Sequence, residues 1–270
     1  MKYGLIAGNG RFPLLALENA RKLGYEVVVI AIQEEAPPEI EALASRCYWL
    51  SLGELGKLID ILKREGITEV TMAGQVKHAK IFSSIRPDWR LFKLLTSLES
   101  KNTDALIGGV AKILEDEGIH LADSTALLKP LVAGEGALTK RKLTKEERAD
   151  IDYGRRIANA LAGFDVGQSV AICERACVAL EAMEGTDAML RRAASLVNGR
   201  PLTLVKVGRR RGHLLFDVPV AGLATISAMR ETGATALAVD AGRTLLLDRE
   251  DMLQEADAAG LAIAGFKAEE

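Results

Sequence analysis

The residues that decide the fold are YGLIAGNGRFPLLALENARKLGYEVVVIAI, at positions 3–32. An apolar run (3–7) leads into the glycine loop GNGRFP (8–13), a segment with helical apolar spacing follows, and EVVVIAI (26–32) is a second apolar run. This order is typical of a βαβ unit, whose two strands lie parallel beneath the connecting helix. The stretch therefore predicts an α/β domain with a Rossmann-like parallel sheet.

Further along the chain, apolar strands and amphipathic helices continue to alternate, with a strand predicted over 68–74 and a helix over 103–118. Between 129 and 150, glycine, lysine and threonine replace the apolar periodicity, which predicts a linker. The later segments combine a hairpin with helices and strands, so we expect a second α/β domain with a mixed sheet. The predicted boundaries are 1–132 for the N-terminal domain, 133–147 for the linker and 148–270 for the C-terminal domain.

The composition indicates a globular protein without a strong electrostatic field. The formal net charge is −2 over 270 residues, so no nucleic-acid partner is indicated. Three cysteines are too few for a disulfide framework or a four-thiolate zinc site. The first residues lack the layout of a signal peptide, and no stretch is long and apolar enough for a membrane span. We therefore expect a cytoplasmic protein.

Two glycine-containing segments in the first domain are candidate ligand sites. Gly8 and Gly10 belong to a loop between a strand and a helix, where backbone N–H groups and the helix dipole favour a phosphate. Pro13 stands where a dinucleotide fingerprint has its third glycine, and proline there also has a purely structural explanation. In AGQV (73–76), Gly74 allows a close approach and Gln75 offers an amide, although a plain strand-to-loop turn explains the segment equally well.

The second domain holds two further candidates. In EGTDAML (184–190), Thr186 is a natural helix N-cap, and the acids Glu184 and Asp187 flank it, so the segment is either a capped helix or an anion or metal site. Lys206 and the arginines at 209–211, beginning with Arg209, form the densest basic cluster. These side chains are suited to a diphosphate or an anionic membrane surface, and a solvated turn is the alternative.

One carboxylate and one apolar stripe complete the candidates. In LLFDVPVAG (214–222), Asp217 ends an apolar run, where an ionised carboxylate is costly unless it caps an element or takes part in chemistry. The segment 85–101 carries Trp89 and Phe92 at helical spacing among basic residues, a pattern typical of a core-facing helix or of a membrane-surface helix.

Seven segments occur in the order and spacing of one family: GLIAGNGRFP, AGQV, KNTDALI, ADID, GQSVAICE, EGTDAMLRR and FDVPVAGLATI. Over essentially the whole chain they resemble the LpxI family, the UDP-2,3-diacylglucosamine pyrophosphatases of lipid A biosynthesis. The resemblance implies a magnesium-dependent hydrolase that splits this lipid-linked nucleotide sugar into UMP and 2,3-diacylglucosamine 1-phosphate (lipid X). It also implies two α/β domains joined by a linker, with the lipid held between them.

The resemblance assigns roles to the candidate residues. Asp217 matches the catalytic aspartate of the family, and we expect Mg²⁺, with Mn²⁺ as an alternative, to be held by Asp217, Asp187 and Glu184. The expected substrate-binding residues are Gly8, Gly10, Gly74, Gln75, Thr186, Lys206 and Arg209. A lipid substrate implies peripheral association with the cytoplasmic face of the inner membrane, and a homodimer is compatible with the sequence.

Two other functions fit parts of the sequence. An NAD(P)-dependent nucleotide-sugar oxidoreductase is suggested by the βαβ start and by Glu34 and Glu35 at the end of the second strand. A non-catalytic lipid- or nucleotide-binding protein is suggested by Gly212 and Leu215, which stand where members of the family commonly have glutamine and arginine.

Overall fold

The computed structural model describes residues 2–74, 86–98, 103–123, 125, 127–164, 166–208 and 218–269. The chain divides into two compact domains, Met1–Leu128 and Lys129–Glu270. Each is an α/β domain, the first built on a parallel sheet and the second on a mixed sheet. The predicted fold class is therefore confirmed.

The first domain has five parallel strands in the order β3-β2-β1-β4-β5. This is the strand order of a Rossmann fold. The chain adds strands on one side of β1 and then continues on its other side with β4, so the order of strands reverses between β1 and β4. Its strands are β1 (Lys2–Ala7), β2 (Glu26–Ile32), β3 (Arg46–Leu50), β4 (Glu69–Ala73) and β5 (His120–Leu121), and its helices are α1 (Phe12–Lys22), α2 (Ile40–Leu43), α3 (Leu55–Arg64), α4 (Trp89–Ser97) and α5 (Thr103–Asp116).

The central strands of this sheet form because their side chains are apolar on both faces, as a strand buried under helices requires. All residues of β2 after Glu26 are buried. Strand β3 was not predicted, because its residues Cys47, Tyr48 and Trp49 are only half-buried at the edge of the sheet. Such a strand has neither a continuous apolar run nor a clean alternation.

The second domain has a six-stranded sheet in the order β6-β13-β11-β9-β7-β8 and a separate parallel pair, β10-β12. Strands β9, β11 and β13 are parallel, whereas β6, β7 and β8 each run antiparallel to a neighbour. The strands are β6 (Gly136–Ala137), β7 (Ser169–Cys173), β8 (Ala176–Leu180), β9 (Leu202–Lys206), β10 (Val220–Ala221), β11 (Ala234–Ala241), β12 (Leu245–Leu246) and β13 (Ala262–Lys267), and the helices are α6 (Lys145–Gly163), α7 (Thr186–Leu196), α8 (Leu223–Thr232) and α9 (Arg249–Ala258).

Helices cover both faces of this second sheet. One apolar cluster packs α7, α8 and α9 against it, through residues such as Met189, Ile226 and Met252. A second cluster packs α6 against the opposite face, through Ile151 and Ala158. The sheet is consequently buried on both sides, and its polar groups are concentrated at the ends of the strands.

The segment predicted as a linker, 133–147, is part of the second domain in the structure. Strand β6 pairs with β13, and the N–H of Ile263 donates to the Thr139 hydroxyl at 2.8 Å. The Arg141 guanidinium donates to the carboxylate of Glu147 at 2.7 Å and to the carbonyl of Gly260 at 2.6 Å. The pairing with β13 and the bonds to Ile263 and Gly260 join residues more than a hundred positions apart, so no local pattern in the sequence predicts them.

Glu65, the residue that ends α3, holds three neighbouring groups of the first domain together. Its carboxylate accepts hydrogen bonds from the Tyr48 hydroxyl at 2.6 Å, from Arg46 at 2.7 Å and from Lys2 at 3.2 Å. The Tyr48 hydroxyl, together with Arg46 and Lys2, lowers the pKa of Glu65 to about 2 even though desolvation opposes the shift. The cluster thereby connects α3 to the edge strand β3 and to the start of β1.

Replacing this carboxylate gives a stability difference that depends on pH. Because the ionised form is the one stabilised in the folded state, the contribution of Glu65 is present above the ordinary pKa of 4.5 and is lost as pH falls toward about 2. Glu65→Gln is therefore expected to lower the free energy of unfolding at pH 7 and to differ less from the wild type as pH falls through this window.

Urea unfolding followed by tryptophan fluorescence measures this effect in one domain, because the two tryptophans, Trp49 and Trp89, both belong to the first. Glu26→Gln is the matched control, since Glu26 is half exposed and lies 3.9 Å from the same Lys2. Equal unfolding free energies for Glu65→Gln and the wild type at pH 7 would contradict the assignment.

Candidate functional site

The glycine loop meets Ala73 and Gly74 at the carboxyl edge of the first sheet. The Gly8 N–H donates to the carbonyl of Ala73 at 2.8 Å. Gly74 has a φ of 93°, and a Cβ at this position would lie 2.5 Å from the Asn9 carbonyl oxygen. Only glycine allows this approach, which lies where the strand order reverses and where open α/β sheets bind ligands. Gly8 and Gly74 thus lie close together at this edge, whereas Gln75 lies outside the described residues.

The acids after β2 contact protein groups around this loop. Asn9 Nδ2 donates to the buried carboxylate of Glu35 at 3.3 Å, which connects the loop to the second strand. The carboxylate of Glu34 accepts from the Ser51 hydroxyl at 2.5 Å. Helix α1 begins at Phe12 without a side-chain cap, and Gly10 precedes it with a φ of 93°. The backbone N–H groups of its first turn are therefore not capped by the preceding side chain.

In the second domain, a cluster of buried polar side chains lies at the carboxyl end of β9. The ammonium of Lys206 donates to the Thr186 hydroxyl at 2.8 Å and to the Ser169 hydroxyl at 3.3 Å. The Thr186 hydroxyl in turn donates to the Glu181 carboxylate at 2.7 Å. Lys206 and Glu181 are each only 9% exposed, so this is a compensated pair of buried charges with a hydroxyl between them.

The cluster fixes the ionisation of its acid. Burial raises the pKa of the Glu181 carboxyl, but the charge of Lys206 and the hydrogen bonds from Thr186, Ser169 and the Gln168 N–H outweigh it and leave that pKa below the ordinary value. Glu181 is therefore ionised at neutral pH. The buried ammonium and the buried carboxylate create a local electric field at the strand end, although their charges sum to zero.

The start of α7 differs from the predicted cap. Gly185, with a φ of 82°, occupies the N-cap position, and Thr186 is the first helical residue. The N-cap prediction for Thr186 was wrong because its hydroxyl is used by Glu181 and Lys206 instead. Glycine places no side-chain oxygen over the first turn, so the N–H groups at the start of α7 are left for water or an anion close to Lys206.

The predicted metal ligands are only partly consistent with the structure. One Glu184 oxygen pairs with Arg192 at 2.7 Å and the other accepts from the Ala182 N–H at 3.1 Å. Asp187 is half-buried in the first turn of α7. Among the residues that the structure describes, no group of three histidine, cysteine, aspartate or glutamate side chains has the arrangement of a metal site. The predicted set thus depends on Asp217, which lies outside the described residues, as does Arg209.

A second buried acid, which sequence reasoning missed, lies on the neighbouring strand. Asp240 near the end of β11 is 1% exposed, accepts from the Gly208 N–H at 2.9 Å and pairs with Arg155 at 3.3 Å. Burial raises the pKa of the Asp240 carboxyl, while Gly208, Arg155 and Arg243 act in the opposite direction. An acid directly after an apolar strand run, ALAVD, was the signal that could have found it, as it found Asp217.

The structure also describes the residues on either side of 209–217. A Cβ on Gly208 would lie 3.6 Å from Pro219 Cγ, so the chain leaves β9 and returns toward β10 at neighbouring points. The N–H of Leu245 donates to the Pro219 carbonyl at 2.9 Å and holds the returning strand. Gly208 lies two residues after Lys206 and beside Asp240, which is on the strand next to β9.

The apolar residues of α4 are divided between a core-facing side and an exposed side, so the helix has features of both the core-facing and the surface interpretation. Leu91 and Leu94 are buried, whereas Trp89 is 75% exposed and Phe92 47% exposed. The two aromatic rings stack on each other with their centroids 6.0 Å apart. One side of the helix therefore packs into the first domain, and an aromatic pair is left facing solvent. In the part of the chain that is described, no helix has the length and apolar character needed to cross a membrane.

These features define a two-domain α/β protein. In the Rossmann-like domain a glycine loop lies at the carboxyl edge of the sheet. In the mixed-sheet domain a lysine at the carboxyl end of β9 makes that edge suitable for an anion. The chain belongs to the LpxI family: residues 2–131 match the LpxI N-terminal domain and residues 134–264 match the LpxI C-terminal domain. A relative from Caulobacter vibrioides, the UDP-2,3-diacylglucosamine pyrophosphatase LpxI, is 33% identical over 279 residues, which cover 100% of this chain and 99% of the relative.

Two solved structures show a distant likeness to this chain. The biotin carboxylase domain of Hydrogenobacter thermophilus 2-oxoglutarate carboxylase is 14% identical, with a TM-score of 0.27 over 64% of this chain and 35% of that chain. N5-carboxyaminoimidazole synthetase from Staphylococcus aureus is 16% identical, with a TM-score of 0.28 over 63% and 32% of the two chains. The chain spans about a third of the length of these structures, and likeness at this level carries no argument about its function.

The approach of Gly74 to the glycine loop makes a prediction about stability. Gly74→Ala adds a Cβ that overlaps the Asn9 carbonyl and forces a positive φ on alanine, and we expect a loss of about 2 kcal/mol or more in unfolding free energy. Gly24→Ala is the matched control, because Gly24 has a φ of 72° but no atom within 4 Å of an added Cβ. Urea unfolding followed by tryptophan fluorescence should show a clearly larger loss for Gly74→Ala, and equal losses would mean that the contact does not matter.

Proposed function

We propose that this protein hydrolyses the diphosphate of UDP-2,3-diacylglucosamine to UMP and 2,3-diacylglucosamine 1-phosphate, a step of lipid A biosynthesis. The observation that carries the proposal is the match to the C. vibrioides pyrophosphatase, which extends over the whole of both chains. A match of this length includes both domains, so the proposal requires no activity to be carried over from a single shared module.

The geometry of the second domain supports a diphosphate substrate. Lys206 presents a buried ammonium at the carboxyl end of β9, beside the uncapped first turn of α7. A cation and a helix N-terminus both stabilise phosphate oxygens, and burial strengthens that attraction. Lys206 and Arg209 are therefore proposed to bind the diphosphate, and the Thr186 hydroxyl to support Lys206.

The first domain is proposed to bind the other end of the substrate, so that both domains take part in holding it. Gly8, Gly10 and Gly74 would let the nucleotide or glucosamine moiety approach the backbone, with Gln75 as a polar contact. The support for this assignment is the meeting of the two glycine segments where the strand order reverses.

Asp217 is proposed as the residue that orients and deprotonates the attacking water. Its role comes from the matching position in the family, and the same carboxylate would share a Mg²⁺, or a Mn²⁺ in its place, with Asp187. The ion would supply positive charge against the phosphoryl oxygens. Glu184 would have to share its charge between the ion and its ion pair with Arg192 in order to join these ligands.

Two substitutions test this assignment. Asp217→Asn is expected to lower UMP release by about 1,000-fold or more, as loss of a general base with a further charge role does. Asp187→Asn is expected to raise the Mg²⁺ concentration needed for half-maximal activity by about tenfold, because one carboxylate ligand is lost. UMP release from UDP-2,3-diacylglucosamine in detergent, measured over a Mg²⁺ titration, gives both values.

Glu231→Gln is the control for these measurements, since Glu231 is an exposed acid of α8 paired with Arg191. Normal turnover by Asp217→Asn would remove the catalytic assignment. Failure of the wild type to release UMP with Mg²⁺ and detergent present would favour a non-catalytic binding protein.

The protein is further proposed to work at the cytoplasmic face of the inner membrane as a peripheral protein. A diacylated substrate resides in a bilayer, and α4 exposes Trp89 and Phe92 with Arg86 and Lys93, also exposed, around them. Aromatic rings flanked by basic side chains suit the interface of an anionic membrane.

A vesicle assay tests the membrane proposal. The double variant Trp89→Ser/Phe92→Ser is expected to reduce binding to anionic vesicles by about tenfold, because the aromatic area no longer enters the interface. Leu23→Ser is the matched control, since Leu23 is a 49% exposed apolar residue of the same domain but lies after α1. Co-sedimentation with vesicles at fixed ionic strength measures the effect, and equal losses in the two variants would argue against α4 as the contact.

A further inference from the structure

The carboxylate of Glu181 has no assigned role in the proposed reaction. Its position is nevertheless fixed by hydrogen bonds and by close backbone packing. Glu181 follows β8, and its backbone N–H donates to the Ser169 carbonyl at 2.9 Å. A Cβ on Gly167 would lie 2.2 Å from the Glu181 carbonyl oxygen, so glycine at 167 is what lets the two backbones pack. The backbone of Glu181 is therefore fixed, and its side chain extends from a defined position.

The carboxylate is linked to Lys206 most closely through the hydroxyl of Thr186, and Ser169 contacts both charged groups as well. A threonine hydroxyl has a single proton, and in Thr186 that proton goes to Glu181 Oε1 at 2.7 Å. The Thr186 oxygen is consequently an acceptor only, and the Lys206 ammonium donates to it at 2.8 Å. The direction of both bonds follows from the charge of Glu181, because a neutral acid would offer a proton instead of taking one.

A buried lysine needs this support, because an ammonium removed from water is costly unless a negative charge compensates it. Glu181 supplies such a charge, because its carboxylate interacts electrostatically with Lys206. Ser169 adds a second acceptor at 3.3 Å from the ammonium nitrogen. The position of the lysine at the strand end is thus set before any ligand arrives.

We propose that Glu181 is a positioning residue, which holds the Lys206 ammonium at the carboxyl end of β9 through Thr186 and acts on the substrate diphosphate only through that lysine. The inference rests on the proposed function, in which Lys206 binds a diphosphate oxygen. It differs from a catalytic role for Glu181, because the carboxylate itself does not touch the substrate.

A double-mutant cycle between Glu181 and Lys206 tests the inference. Glu181→Gln keeps the shape of the side chain and removes its charge, and it is expected to lower kcat/KM by about 10- to 100-fold, the range for loss of a charged hydrogen bond. In a Lys206→Met background the same substitution is expected to cause no further loss, because there is no ammonium left to position. A further loss equal to that in the wild-type background would overturn the proposal, as would unchanged kcat/KM in the Glu181→Gln single variant.

A second readout separates positioning from a general loosening of the domain. The Kd for inorganic diphosphate, measured by titration calorimetry, is a property of each folded molecule and does not change when part of the sample is inactive. Glu181→Gln is expected to weaken it by about tenfold, and Lys206→Met to remove the dependence on residue 181. Glu231→Gln, the exposed acid of α8, should leave both kcat/KM and this Kd within about twofold, as surface ion pairs contribute little.

The design keeps two failures apart. If the wild type releases no UMP, the proposed function fails, and the cycle is still read on the Kd for inorganic diphosphate. If the wild type is active and the losses at 181 and 206 add, the positioning role fails while the proposed function stands. Should Glu181→Gln not fold, Thr186→Val breaks the same path and is expected to show the same non-additivity with Lys206→Met.

Discussion

A buried ammonium at the end of a strand is the constraint around which the second domain is arranged. A carboxylate and two hydroxyls stabilise the charge of Lys206 away from water. Those groups come from the start of β7, the end of β8 and the start of α7, and they meet because β7 runs antiparallel to both β8 and β9. A purely parallel sheet would place the start of a neighbouring strand at the opposite edge. The mixed sheet is thus a condition for the polar cluster.

The first domain also has its candidate ligand-binding groups at the carboxyl edge of its sheet. Its five described strands are all parallel, and at their carboxyl edge the glycine loop and Gly74 bring backbone groups together beside the Glu35 carboxylate. Gly74 approaches the loop so closely that no side chain fits between them. In the proposed function, the backbone N–H groups of the glycine loop would bind the substrate by shape and dipole, whereas Lys206 would bind it by charge. Two kinds of recognition suit a substrate that combines a nucleoside, a sugar and a diphosphate.

Much of the fold was predictable because buried strands and amphipathic helices leave periodic patterns, and the βαβ start, the hairpin and the mixed second sheet were all predicted from them. The half-buried edge strand β3 and the segment 133–147 were not, since their structure depends on partners far along the chain. Thr186 and Lys206 were predicted one at a time, but their contact needed the sheet. Glu181 and Asp240 were missed for the same reason, although each ends an apolar run as Asp217 does.

The buried cluster also bears on which substitutions this sequence can accept during evolution. Replacement of a buried ion pair by well-packed apolar residues is often neutral for folding or even favourable. Folding by itself thus gives little reason to keep Lys206 and Glu181 at the edge of the sheet. Paired apolar changes at these two positions would pass unnoticed in any selection for folding or solubility, and only a selection for turnover would remove them.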